Sequence, residues 1–148
     1  MNTKPQLPFG SVAVIVGLLS FALLGGNADG CSVAPNPVPL PGDGLRVLIV
    51  EEVDDRTLEI AEVVNGEAVR NYLDSHCGKG DDGRPNYRVL DDDTKQENLP
   101  QVWRDALKLA EKTPEPAIVV TNGRDGFVGP LPLPAGETLK LLKRYGGD

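Results

Sequence analysis

Residues 114–146 constrain the chain more tightly than any other stretch. Ala117-Ile118-Val119-Val120 is a short apolar run, entered through Glu115-Pro116 and left through Asn122-Gly123. Asn-Gly supplies the positive φ of a tight turn, so the run reads as a strand that doubles back. Phe127-Val128 is the returning strand, and Glu137 to Tyr145 a closing helix. In that helix Leu139, Leu142 and Tyr145 share one side, while Lys140, Lys143 and Arg144 share the other. An apolar strand in a hairpin needs cover on both faces, so the rest of the chain must supply a sheet and helices.

The upstream residues provide them. Leu45-Arg46-Val47-Leu48-Ile49-Val50 reads as a buried strand launched from Gly42-Asp43-Gly44. Residues 51–65 have poor helical spacing and read as loop with some helix, for which Asp54-Asp55 is a candidate cap. Asn65 is a plausible N-cap for a helix from Gly66 to Cys77, where Val69, Tyr72, Leu73 and Cys77 form one stripe. Tyr87-Arg88-Val89-Leu90 is a second strand. A helix from Pro100 to Lys112 turns Leu99, Val102, Trp103, Ala106, Leu107 and Ala110 toward a core. The order is β-α-β-α-β-β-α. Strands separated by helices are expected to pair in parallel, and the hairpin to be antiparallel.

This order, with Glu115-Pro116 just before the third strand, resembles the thioredoxin-like superfamily over about residues 45–146. The resemblance implies an α/β three-layer sandwich with a mixed central sheet, and a cis proline at Pro116. In catalytic relatives a dithiol lies between the first strand and first helix, where a helix N-terminus lowers a thiol pKa. The corresponding residues here are Glu51-Glu52-Val53-Asp54-Asp55-Arg56-Thr57, without sulfur and rich in carboxylates. The resemblance therefore implies a redox-inactive domain acting in binding or scaffolding. Its peptide-receiving rim would include Glu51, Asp54, Arg56, Glu115 and Pro116.

The alternative is a single-thiol oxidoreductase or peroxidase-like enzyme using Cys77. Cys77 falls at the C-terminal end of its helix, where the helix dipole opposes an anion, and on the apolar stripe. Neighbouring helical residues point about 100° apart, so His76 is no assured partner for it. Asp91-Asp92-Asp93 and Asp81-Asp82 could gather a hard cation, but the spaced ligands of a calcium loop are missing, and acidic turns explain them better. No metal or cofactor is expected. The net charge of −7 argues against nucleic acid and anionic lipid headgroups as partners, because phosphate neutralisation needs surplus Lys and Arg. The expected partner is a protein or peptide.

The leading residues indicate an address. Residues 11–24 are almost wholly apolar and uncharged, with Lys4 before them and Asp29 after. The run suits the apolar core of a secretory signal and approaches the lower limit of a bilayer-spanning helix. Residues 1–30 thus read as a signal peptide or membrane anchor, an N-terminal hydrophobic helix that puts the remainder on the non-cytoplasmic side, anchored or secreted. Cleavage after Ala28, retention as an anchor, and cleavage before Cys31 all stay open. The last would leave Cys31 as a lipid attachment site, resembling a bacterial lipoprotein, although Ala28 stands where the lipobox usually has Leu. A Cys31–Cys77 disulfide is formally possible. Residues 31–44 carry Pro35, Pro37, Pro39 and Pro41 and read as a stiff spacer, roughly 30–40 Å long at about 3.1 Å per residue.

Overall fold

The computed structural model describes residue 40 and residues 42–148. The leader, Cys31 and nearly all of the proline spacer lie outside the described residues. Four strands, β1 (Arg46–Glu51), β2 (Tyr87–Asp91), β3 (Ala117–Thr121) and β4 (Gly126–Pro130), form one mixed sheet in the order β2-β1-β3-β4. β1 runs parallel to β2, with Leu48 opposite Arg88. It runs antiparallel to β3, with Leu48 opposite Val119. β3 and β4 are antiparallel.

Four helices cover this sheet: α1 (Leu58–Asn65), α2 (Glu67–His76), α3 (Gln101–Ala110) and α4 (Ala135–Gly146). Successive side chains of a strand point to opposite faces, and the central strands use both. Val47, Ile49, Ile118 and Val120 meet the apolar sides of α1, α2 and α4, where Val63, Val69, Leu73 and Leu142 are buried. Leu48, Val50, Ala117 and Val119 meet α3 through Trp103, Ala106, Leu107 and Ala110, with Leu40 joining them. The result is an α/β body with helices on both sides of a mixed sheet.

Three expectations need correction. Residues 51–65 include a true helix, α1, capped by Thr57 rather than Asp54-Asp55. Thr57 Oγ1 accepts the Ile60 N–H at 3.3 Å, while Asp54 and Asp55 remain in the preceding turn. Asn65 ends α1 instead of capping α2. The cap of α2 is Gly66, whose extended backbone separates the two helices. A Cβ there would lie 2.1 Å from the Glu62 carbonyl oxygen, so this close approach admits only glycine.

The third correction concerns direction. β3 follows β2 through a helix, yet it is antiparallel to β1 and pairs on the far edge of that strand. The connection explains this. Pro100, Val102 and Trp103 line a cavity of about 150 Å³ with Arg46 and Asn86, at the end of the sheet where β1 and β2 begin. Residues 92–100 therefore run back along the sheet before α3 starts. The helix then returns the chain to the end where β2 stopped, and β3 must descend from there.

The β3–β4 turn spans residues 122–125. Asn122 Oδ1 accepts the N–H groups of Arg124 at 3.0 Å and Asp125 at 2.8 Å, and Gly123 takes a φ of 87°. The peptide bonds Glu115-Pro116 and Leu133-Pro134 are cis.

Candidate functional site

β1 and β2 end, and β3 begins, at the same end of the sheet, which brings Glu51, Glu52, Asp91, Asp92, Glu115 and Pro116 into one region. A half-open cleft of about 460 Å³ lies there. It is lined by Glu52, Asp55, Thr57, Ile60, Glu115 and Pro116. Its walls are the turn after β1, the first turn of α1, and the entry to β3. Hydrogen bonds from Asp55 N–H to the Glu52 carbonyl (3.3 Å) and from Arg56 N–H to the Val53 carbonyl (3.4 Å) shape the turn.

The expected rim residues divide into three groups. Glu115 and Pro116 line the cleft. Glu51 and Arg56 are engaged with each other: Glu51 is only 1% exposed, and Arg56 Nε donates to its Oε2 at 2.8 Å while Arg56 Nη2 donates to its Oε1. Such a two-pronged contact fits the planar guanidinium to the planar carboxylate. The hydrogen bond to Glu51 raises the Arg56 pKa further. Asp54 is exposed in the turn, outside the lining. The cleft instead uses Glu52, Asp55, Thr57 and Ile60. No residue pattern in the sequence distinguishes Glu51 from Glu52; strand alternation, which turns one in and one out, does so once the register is known.

The site is strongly anionic. Carboxylate oxygens of Glu52, Asp91 and Asp92 all lie within 4.8 Å of one another. A hydrogen bond from the Asp54 backbone pulls the Glu52 pKa down. The charge of Asp92, burial, a hydrogen bond shared with Asp92 and the charge of Asp91 outweigh it and leave the group raised. Burial, then the charges of Asp92 and Asp91, raise Glu115 as well. Glu52, Asp91 and Asp92 offer the oxygen ligands that a hard cation prefers, though calcium takes six to eight.

Cys77 lies elsewhere. It caps the C-terminal end of α2 as a free, buried thiol. Burial, with a smaller contribution from Asp74, pushes its pKa up to about 12. His76 stacks on the Tyr72 ring at 3.9 Å, and its Nδ1 lies 3.0 Å from the Tyr72 carbonyl oxygen. Trp103 is buried against the sheet, with the Arg88 guanidinium over its ring.

In comparison with known proteins, the chain matches no family model, no curated protein and no solved structure. Among the described residues no helix is long and apolar enough to cross a membrane.

Proposed function

We propose that the sheet-and-helix body is a thioredoxin-like domain that has lost its dithiol and works by binding a protein or peptide. The supporting fold features are the strand order β2-β1-β3-β4, the antiparallel β3, and the placement of Pro116 at the entry to β3. The observation that carries the functional reading is the Glu51–Arg56 pair beside the cleft. A partly buried ion pair between the end of β1 and the following turn stands where catalytic relatives hold their thiols, and the cleft next to it remains open for a ligand. The apolar run at residues 11–24 supports an exported or membrane-anchored location.

The competing reading uses Cys77 as a nucleophile. Only a thiolate attacks, and a thiol with a pKa near 12 is almost wholly protonated at neutral pH. Thiol labelling separates the two readings. A binding domain leaves Cys77 unlabelled by a maleimide in the native protein and labels it after denaturation. Rapid native labelling at neutral pH, with a depressed thiol pKa, would make the enzyme reading the better one.

A further inference from the structure

We infer that the cleft beside Pro116 receives a peptide segment combining apolar side chains with lysine or arginine. This rests on the binding-domain reading above and adds the chemistry of the ligand. Two observations meet here.

The first is apolar. Val53, 47% exposed, and Leu58, 86% exposed, are the large hydrophobic side chains that stand out in solvent among the described residues. A single exposed leucine is ordinary. These two belong to the same turn and first helical residue that build the cleft wall. Val53 lies between Glu52 and Asp55, and Leu58 lies between Thr57 and Ile60; those four flanking residues line the cleft, and Val53 and Leu58 stand outside the lining in the same two segments. Neither Val53 nor Leu58 supports the core, because α1 buries Ile60, Val63 and Val64 instead. Pro116 and Ile60 supply apolar surface inside the cleft.

The second is charge. The lining carries three carboxylates, Glu52, Asp55 and Glu115, and no Lys or Arg. Asp91 and Asp92 stand beside Glu52 and add to the field. Arg56, the cation of this loop, is held by Glu51. An acidic partner would meet uncompensated repulsion, whereas a lysine or arginine next to an apolar residue would satisfy both kinds of surface. The volume falls within the range of about 300–1,000 Å³ usual for ligand pockets.

The test uses the full chain in nonionic detergent and three short fluorescent peptides, built from alternating Lys and Leu, Glu and Leu, or Lys and Ser. Fluorescence anisotropy should show binding of the Lys-Leu peptide at least about tenfold tighter than of either other peptide. Leu58→Ser and the double variant Glu52→Gln/Glu115→Gln should each weaken it about tenfold, the scale of a truncated interface anchor, without lowering the unfolding midpoint. Equal binding of the Lys-Leu and Glu-Leu peptides, abolished by Leu58→Ser, would overturn the charge assignment and leave the binding-domain reading standing. Binding unaffected by every variant would overturn the location. Failure of all three peptides would overturn the inference, and the Cys77 labelling result would still judge the broader reading separately. Calcium binding at the same carboxylates with no peptide binding would likewise overturn it, in favour of a cation site.

Discussion

Arg56 grips Glu51 with both arms of its guanidinium, and so ties the turn after β1 to the buried end of that strand. Glu51 could not be left ionised and unpaired at 1% exposure without a large desolvation penalty. The pair therefore fixes the turn that forms one wall of the cleft. Arg56→Met should lower the unfolding midpoint well beyond Lys140→Met, which breaks only the surface pair with Glu137. Adding Glu51→Leu to Arg56→Met should recover much of the loss, because no buried charge then remains. A double-mutant cycle measured by denaturant unfolding checks this; equal effects of Arg56→Met and Lys140→Met would refute it.

Cys77 makes a signed prediction about pH. Its folded pKa, about 12, lies above the ordinary value of 9.0. Below pH 9 the thiol is protonated in both folded and unfolded chains, so its contribution to stability is fully present. As the pH rises from 9 toward about 12 the unfolded chain ionises first, and that contribution is lost. Wild type should therefore lose stability relative to Cys77→Ala across this window. Parallel difference curves throughout would show that the thiol is not insulated.

The acidic cluster has the corresponding behaviour at lower pH. Glu52 and Glu115 have folded pKa values raised above 4.5. Their contribution is favourable while they are protonated and is lost as the pH rises through the folded pKa values. Asp92→Asn should lower both pKa values and stabilise the fold at neutral pH, with the gain vanishing below about pH 4, where Glu52 and Glu115 are mostly protonated. Carboxyl NMR titration, together with unfolding at both pH values, measures the effect. Unchanged titration of Glu52 would remove Asp92 as its neighbour of consequence.

Leucines at 58 and 142 should respond oppositely to truncation. Leu142 is completely buried between α4 and the sheet, so Leu142→Ala should cost about 2–5 kcal/mol. Leu58 is exposed, and Leu58→Ala should stay within about 0.5 kcal/mol. Denaturant unfolding of both variants provides the comparison. A large loss at Leu58 would mean that it packs within the fold and is no anchor for a ligand.

Tyr72 offers a smaller effect. Its hydroxyl donates to the Gly147 carbonyl at 2.6 Å and lies 3.3 Å from that of Leu142, joining α2 to the end of α4. Tyr72→Phe should cost about 0.5–1.5 kcal/mol, with faster amide exchange in the last turn of α4. Unaltered exchange there would show that this contact does not hold the C-terminal turn.

The strands were legible because their residues repeat a simple physical pattern. Val47 to Val50 and Ala117 to Val120 are apolar on both sides, and both lie between covered faces. The stripe Val69, Tyr72, Leu73 and Cys77 was equally plain, and all four are buried. α1 was obscured because a helix of only eight residues, with Leu58 pointing outward, leaves little periodicity to detect. The candidate site was half legible. Pro116 and Glu115 stood out through their place before a strand, whereas Glu52, Asp55, Thr57 and Ile60 are brought to them only when β1 and β3 align.

Local chemistry by itself determined where the four strands and the three longer helices form, that the first loop is rich in carboxylates and holds no thiol, and that Cys77 belongs to an apolar stripe. These follow from side-chain size, polarity and spacing along a short stretch. Only the tertiary structure decided that β3 runs against β1, that Arg56 is spent on Glu51, and that the open carboxylates are those of Glu52, Asp55 and Glu115. Strand direction depends on the path of residues 92–100 across the sheet, and ion pairing depends on which side of β1 each carboxylate faces. Both are relations between distant segments, which no local pattern encodes.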